Sequence, residues 1–508
     1  MIKAIIVGTQ ATKFVFDKEI NIYNNNLSLE IVMSNGNDSI LKLLNELDFI
    51  EKISSSDVLI FDILTDLVSD RFKDNNFQVI KDFVKNVKII NPDIAIIYNS
   101  VRYADKVVFN ENKKSDKNID NILARDTRNW RNDKLDQIEN NLLKENLPIN
   151  MIYYHNESSA YESNVKRGFS DMYYNQQYYL DVFIQFERIL VEFYPDEFPK
   201  YSKVESLVEA LEIAQNKGSE VILVNSRGLL PLWKIKDDVN YSSIMTSLFK
   251  LDYIIDGIAQ NYIRLIKRLD FHRYNLEEQD GIYYSIQKSR LTSKGISRIL
   301  FYFQPMTLDG YFEVDSGKRF NPNRFDTLDK SIVKDTVIIR LSDVNLMQGS
   351  YFVNTVNYSN YEKNMVDFIL NKIEEYGVLH DNVVLYGFSR GGLGALYYGL
   401  KLDLPVVSVD PVIDASWFSD NKDSSQYIRG LRTENLLFEI NNMDATSTNL
   451  KYIIGNSYVR QNTWEAISQL KYDFIKKINL DLPEMTEHGQ VVHHVPEQLT
   501  LINSILMG

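Results

Sequence analysis

Two kinds of apolar run alternate along the C-terminal part of the chain. Short continuous runs, at Arg298-Ile-Leu-Phe-Tyr-Phe303, Thr336-Val-Ile-Ile-Arg340, Val383-Val-Leu385, Pro405-Val-Val-Ser-Val-Asp410 and Lys451-Tyr-Ile-Ile-Gly-Asn-Ser-Tyr458, are rich in β-branched and aromatic side chains. That is the pattern of strands buried on both faces of a parallel sheet. Between and after them come stretches with helical spacing: Tyr361 to Tyr376, Gly394 to Leu400, Thr463 to Leu470, and a final Pro496 to Leu506 with proline in its first turn. Lys477 to Pro483 reads as a late strand. Strands alternating with helices predict an α/β domain over residues 275–508.

The N-terminal part repeats the alternation. Lys3-Ala-Ile-Ile-Val-Gly8, Val58-Leu-Ile-Phe-Asp62 and Ile94-Ala-Ile-Ile-Tyr98 read as buried strands among helical stretches, which predicts a separate α/β domain with a parallel sheet over residues 1–195. Residues 196–274 read as a connecting region with a helix from Lys203 to Asn216, a strand at Val221 to Asn225, and a long apolar helix from about Ile244 to Leu269. This region either completes the first domain or braces the two. The 11 prolines are dispersed, so no Pro-rich linker marks the border, which falls near residue 275.

The chemistry concentrates at Val384-Leu-Tyr-Gly-Phe-Ser-Arg-Gly-Gly-Leu393, where a G-x-S-x-G turn joins a β-type run to a helix. This is the nucleophile-elbow pattern, in which Gly387 and Gly391 let backbone approach backbone and Ser389 projects from a sharp turn at a helix N-terminus. Free N–H groups and the positive end of the helix dipole there favour developing negative charge. A glycine-rich turn whose serine only caps a helix is the bland alternative. A serine nucleophile needs a base, and the chain has 6 histidines. His488 lies between the late strand and the final helix, where an α/β-hydrolase places its general base, with His493 and His494 as competitors.

The acid that would orient this histidine has two candidates. No carboxylate directly follows the run ending at Tyr458, where Asn456 stands instead; the first acid downstream is Glu465, near the start of a helix. Asp410, at the end of the strand after the elbow helix, is the other. An Asp-Pro step that starts a turn and a glutamate that complements a helix N-terminus are the ordinary readings of both. For the oxyanion, the N–H of Arg390 is one expected donor. The second is expected after the run ending at Phe303, from Gln304, Met306 or Thr307, since Pro305 has no N–H.

The stretch from Arg340 through Leu346-Met-Gln-Gly-Ser-Tyr-Phe352, the helix Tyr361 to Tyr376, and Tyr386-Gly-Phe-Ser-Arg-Gly-Gly392 with Gly394-Ala-Leu-Tyr-Tyr-Gly399 resembles the serine-hydrolase-fold glycan O-acetyltransferases of the accessory Sec system. It is also similar to the XcbB/CpsF capsular polysaccharide biosynthesis family. The resemblance spans residues 275–508. It implies an α/β-hydrolase fold, with Ser389 as nucleophile and His488 as base in an acyl transfer, and the acid does not carry over. It further implies a glycan or glycoprotein substrate, an acyl donor, and protein partners in a secretion or capsule complex. Arg390 with Gly391-Gly392 departs from the Met-Gly-Thr expected in the secretion-linked members, which favours the capsule-type branch or a related glycan-modifying enzyme. A non-catalytic assembly protein that keeps the fold is the competing function class. The N-terminal domain is somewhat similar to SGNH-type esterases, but Thr9 and Gln10 stand where that group has its nucleophile motif. It reads as a degenerate, non-catalytic partner.

Composition narrows the partners. With 69 acidic against 56 basic side chains the formal charge is −13, and the pI is about 5.1. That argues against a nucleic-acid groove or an anionic membrane surface. Lys113-Lys-Ser-Asp-Lys117 reads as a solvated loop. Zero cysteines rule out disulfides and thiolate metal sites and fit a reducing cytoplasm. There is no signal-peptide core after Lys3, and no run approaches the ~20 apolar residues of a membrane span. The lone Gly8 is too little for a dinucleotide or phosphate loop, so no cofactor is expected. The 31 tyrosines, clustered at Tyr173-Tyr174, Tyr178-Tyr179, Tyr283-Tyr284 and Tyr397-Tyr398, are either sugar-stacking platforms or ordinary half-buried side chains.

Overall fold

The computed structural model describes residues 2–8, 12, 27–33, 40–63, 76–101, 106–108, 125–145, 147–152, 160–162, 176–195, 201–216, 221–225, 239–258, 262–272, 276–288, 295–306, 316–322, 324–418, 429–445, 447 and 449–508. The chain divides into two compact units. One comprises residues 1–202, 225–227 and 257–263; the other comprises 203–224, 228–256 and 264–508. Most of the segment expected as a connector therefore groups with the second unit.

In the first unit, strands β1 (Ile2–Gly8), β2 (Leu27–Met33), β3 (Val58–Phe61), β4 (Ala95–Asn99) and β6 (Asn150–Ile152) form one sheet, while β5 (Lys106–Val108) pairs with β7 (Ala160–Glu162). The sheet order is β2-β1-β3-β4-β6, with parallel pairing throughout. Register places Ile6 beside Ile60 and Ile60 beside Ile97, all buried, so the continuous apolar runs become one buried layer. This is the strand order of a doubly wound sheet, with the order, not the strand direction, reversing between β1 and β3. At the ends of those strands the Thr12 hydroxyl donates to Asp62 at 2.5 Å, and the Asn99 amide donates to Thr12 at 2.9 Å. Thr9, Gln10, Lys113–Lys117 and Tyr173–Tyr174 lie outside the described residues.

A four-stranded sheet of β8 (Tyr201–Val204), β9 (Val221–Asn225), β10 (Tyr253–Ile258) and β11 (Tyr262–Lys267), in the order β10-β11-β9-β8, falls mainly in the second unit. It corrects the expected long helix from Ile244 to Leu269: the helix is Val239–Lys250, and Asp252 in the left-handed region, φ 63°, ends it. The residues beyond are crowded with β-branched and aromatic side chains, which suit extended backbone, and pairing within this sheet makes them strands.

The rest of the second unit is built on β12 (Glu277–Gln279), β13 (Ile282–Lys288), β14 (Arg298–Phe303), β15 (Thr336–Ser342), β16 (Val383–Phe388), β17 (Val406–Val409), β18 (Lys451–Gly455) and β19 (Ile475–Asn479). Their order is β12-β13-β15-β14-β16-β17-β18-β19. The β12–β13 and β13–β15 pairings are antiparallel and the others parallel. Eight strands with the third and fourth exchanged and an antiparallel second strand make this an α/β-hydrolase sheet. Leu300, Ile338, Val384, Val407 and Ile454 share a buried core with Met485, Ile502 and Leu506 of the C-terminal segment. The Tyr386 hydroxyl donates to Gln498 of the final helix, Val495–Met507, at 2.7 Å. These contacts tie the last helix to the strand that precedes Ser389.

Two tyrosine pairs prove to be core. Tyr283, Tyr284, Tyr397 and Tyr398 are buried. Tyr283 and Tyr398 spend their hydroxyls on the carbonyls of Arg268 (3.0 Å) and Phe352 (2.7 Å), so these rings offer no stacking face to a sugar.

Candidate active site

Strand β16 is buried along its whole length and ends at Phe388; the helix Arg390–Lys401 begins at once. Between them Ser389 sits at φ 60°, ψ −122°, backbone that costs a non-glycine residue of order 1–3 kcal/mol and persists only where its surroundings force it. Two glycines do the forcing. A Cβ on Gly387 would lie 2.1 Å from the Gly391 carbonyl oxygen, and one on Gly391 would lie 2.1 Å from that of Phe303. The Ser389 N–H bonds the Val409 carbonyl at 3.0 Å and the Val412 N–H bonds the Ser389 carbonyl at 3.3 Å, so the turn is held from both sides.

Ser389 Oγ lies 2.7 Å from His488 Nε2. His488 Nδ1 lies 2.6 Å from Asp410 Oδ2. A carboxylate only accepts, so Nδ1 carries the ring proton toward Asp410, and Nε2 presents its lone pair to the serine hydroxyl. The three residues arrive from separate elements at the C-terminal ends of the parallel strands, the edge where open α/β sheets assemble their sites. Ser389 follows β16, Asp410 follows β17, and His488 opens a short helix after β19. They are nearly enclosed, with Asp410 0%, Ser389 8% and His488 9% exposed.

Each member is braced. Asp410 stands in the left-handed region, φ 43°, a conformation aspartate tolerates better than most residues. Its N–H bonds the Ile454 carbonyl at 2.7 Å, and its second oxygen accepts from the Thr463 hydroxyl at 2.7 Å. The His488 N–H donates to Gln461 Oε1 at 3.1 Å, and Gln461 in turn donates to Glu487 at 2.8 Å. Glu487 and Gln490 form a capping box at the start of the His488–Val491 helix. The imidazole is stacked on Phe388, centroids 5.1 Å apart, and meets Phe418 edge-on at 5.7 Å. The loop leading to His488 is fastened by Asn456, whose amide donates to the Leu482 and Met485 carbonyls at 2.9 and 2.7 Å while its oxygen accepts from the Leu482 N–H at 2.9 Å.

Of the two carboxylates that the sequence leaves open, the structure brings Asp410 to the histidine. Glu465 is exposed in the first turn of the helix Thr463–Ser468 and makes no bond to His488. What that helix contributes instead is Thr463. His493 is exposed, and His494 faces Glu497 at 3.7 Å at the start of the final helix. Gln304 cannot serve as an oxyanion donor because its N–H is spent on the Leu341 carbonyl at 3.0 Å. Thr307 lies outside the described residues. Met306, half-buried after Pro305, is then the first residue of that loop with a main-chain donor to offer, and the Arg390 N–H at the start of its helix has no intrahelical acceptor. Sequence reasoning missed Thr463, Gln461, Phe418 and the side chain of Arg390. None carries a motif, and each joins the site through contacts of 20 or more positions in sequence.

Among the described residues no group of three or more His, Cys, Asp or Glu side chains is arranged to hold a metal ion, and no helix is long and apolar enough to cross a membrane.

No protein-family model matches the chain, and no curated protein sequence matches it. Solved structures similar to it include the capsule O-acetyltransferase of Neisseria meningitidis serogroup A, at 15% identity over 46% of this chain and 94% of that one, with a TM-score of 0.32. An S-formylglutathione hydrolase from Agrobacterium tumefaciens is similar at 8% identity, over 46% of this chain and 94% of that one, TM-score 0.32. The fluorophosphonate-binding serine hydrolase FphF of Staphylococcus aureus is similar at 13% identity, over 45% and 96%, TM-score 0.31.

Proposed function

We propose that the chain is a serine-dependent acyltransferase or esterase that moves or removes an acyl group, acetyl in the first instance, on a bacterial surface glycan or glycoprotein. The observation that carries the chemistry is the continuous hydrogen-bonded line from Ser389 Oγ through His488 to Asp410. The glycan and the acetyl group come from the resemblance of residues 275–508 to glycan O-acetyltransferases and capsule biosynthesis proteins. The same resemblance supports partners in a capsule or secretion complex.

In this reading Ser389 Oγ attacks the acyl carbonyl while His488 Nε2 takes its proton. The oxyanion of the tetrahedral intermediate is held by the N–H groups of Arg390 and Met306. Collapse breaks the bond to the donor's leaving group, which departs with the proton from Nε2 and leaves an acyl-serine. A glycan hydroxyl, or water in the esterase case, then loses its proton to the same nitrogen as it attacks the acyl carbon, and Ser389 is regenerated. Asp410 holds the imidazole in the required tautomer and stabilises it when it is charged.

Intact-mass analysis after treatment with a fluorophosphonate tests the reading. A single adduct on the native protein that is lost in Ser389→Ala and His488→Ala supports it. A folded native protein that takes no adduct overturns it in favour of a binding role.

A further inference from the structure

The Arg390 side chain has no role in the chemistry just described, yet it is among the most thoroughly buried in the molecule, at 0% exposure. Its guanidinium donates from Nε to the Gln304 carbonyl at 3.3 Å, from Nη2 to the Pro305 carbonyl at 3.1 Å, and from Nη1 to the Gln348 carbonyl. Two of these acceptors follow β14 and the third lies in the loop after β15. A planar fork with donors in fixed directions suits three diverging carbonyls, and a flexible ammonium does not.

The grip on Pro305 has a specific consequence. The Pro305 carbonyl and the Met306 N–H belong to one peptide unit, which is planar, and no peptide bond described here is cis. In a trans unit the C=O and N–H vectors point in opposite directions. Holding the Pro305 oxygen against the guanidinium therefore aims the Met306 N–H away from it, and in the acyl-transfer reading a flip of this peptide would present a carbonyl oxygen where that N–H is needed. The same residue thus supplies one N–H through its main chain and sets the direction of the other through its side chain. The contact of Gly391 with the Phe303 carbonyl brings the elbow and this loop into direct register.

We infer that Arg390 is a positioning residue: its side chain preorganises the oxyanion site by fixing the Pro305–Met306 peptide against the nucleophile turn. The inference rests on the acyl-transfer reading. A preset donor matters only when the oxyanion forms, so its loss acts on kcat and spares KM.

The test compares native protein, Arg390→Lys and Arg390→Met for p-nitrophenyl acetate turnover and for the rate of fluorophosphonate addition to Ser389. Rates are expressed per labelled serine, so that unfolded molecules do not count. Removing one oxyanion donor costs about 10²–10³ in kcat, which is the loss expected for Arg390→Met, with KM changed by less than about 3-fold. Arg390→Lys, which keeps the charge and part of the donor set, is expected to recover about a tenth of the native rate, on the order of one decade lost. A loss confined to melting temperature and active fraction, with native kcat per labelled serine in either variant, overturns the inference and leaves Arg390 a packing residue. If Arg390→Met does not fold, a folded Arg390→Lys with native kcat overturns it equally. Native protein that takes no label fails the acyl-transfer reading itself, and the inference falls with it.

Discussion

Asp410→Asn separates the two carboxylates that the sequence proposes, and its effect follows from the bonds around it. The Thr463 hydroxyl donates to Asp410 Oδ1, and His488 Nδ1–H donates to Oδ2. An asparagine of the same shape has one acceptor and one donor end. With Thr463 still donating, the amide oxygen turns to Thr463 and the NH2 turns to His488. The imidazole must then accept at Nδ1 and carry its proton on Nε2, where it faces Ser389 and cannot remove the hydroxyl proton. In a trypsin-like triad the same exchange, with geometry intact, lowers kcat by about 10⁴, equivalent to about 5 kcal/mol of barrier. The expected result here is a fall of about 10³–10⁴ in kcat for p-nitrophenyl acetate and a parallel fall in fluorophosphonate labelling. Melting temperature should barely move because volume is conserved. Glu465→Gln, on an exposed helix turn, should stay within about 2-fold of native. A Glu465→Gln loss as large as that of Asp410→Asn, or an Asp410→Asn enzyme within about 10-fold of native, would refute the assignment of Asp410.

Two further predictions concern residues that brace the site. Thr463→Val removes one hydrogen bond to the buried carboxylate; at about 1–2 kcal/mol the expected loss is about 5- to 30-fold in kcat with KM unchanged, and native kcat would show that the hydroxyl does not position Asp410. Asn456→Asp sets carboxylate oxygens against the Leu482 and Met485 carbonyls that now accept from its amide; a stability loss of about 2–4 kcal/mol is expected in urea unfolding, with slower labelling at Ser389, and unchanged unfolding would mean that the loop before His488 is fixed by other contacts.

The elements that were legible share one property: their signal lies within a few neighbouring residues. The buried strand before Ser389, the two glycines of its turn and the helix after it stand in one stretch of sequence, because steric room and apolar pattern are local. The segment from Ile244 to Leu269 misled for the same reason in reverse. Dense apolar character suits a buried helix and a buried strand equally, and the choice of strand was made by pairing within the sheet of β8 to β11.

By itself, then, the sequence marked a parallel α/β fold in the C-terminal unit and a strand-turn-helix at Ser389, and it put His488 ahead of His493 and His494, each read from contiguous residues. Tertiary structure alone separated the two carboxylates, because Asp410 and Glu465 are both plausible in sequence and only the folded chain sets Asp410 Oδ2 2.6 Å from the imidazole while Glu465 stays on an exposed helix turn. It alone revealed Thr463 holding that acid across 53 positions and Arg390 gripping Pro305 across 85. Hydrogen bonds act over about 3 Å of space whatever the chain length between their partners, so no local pattern announces them.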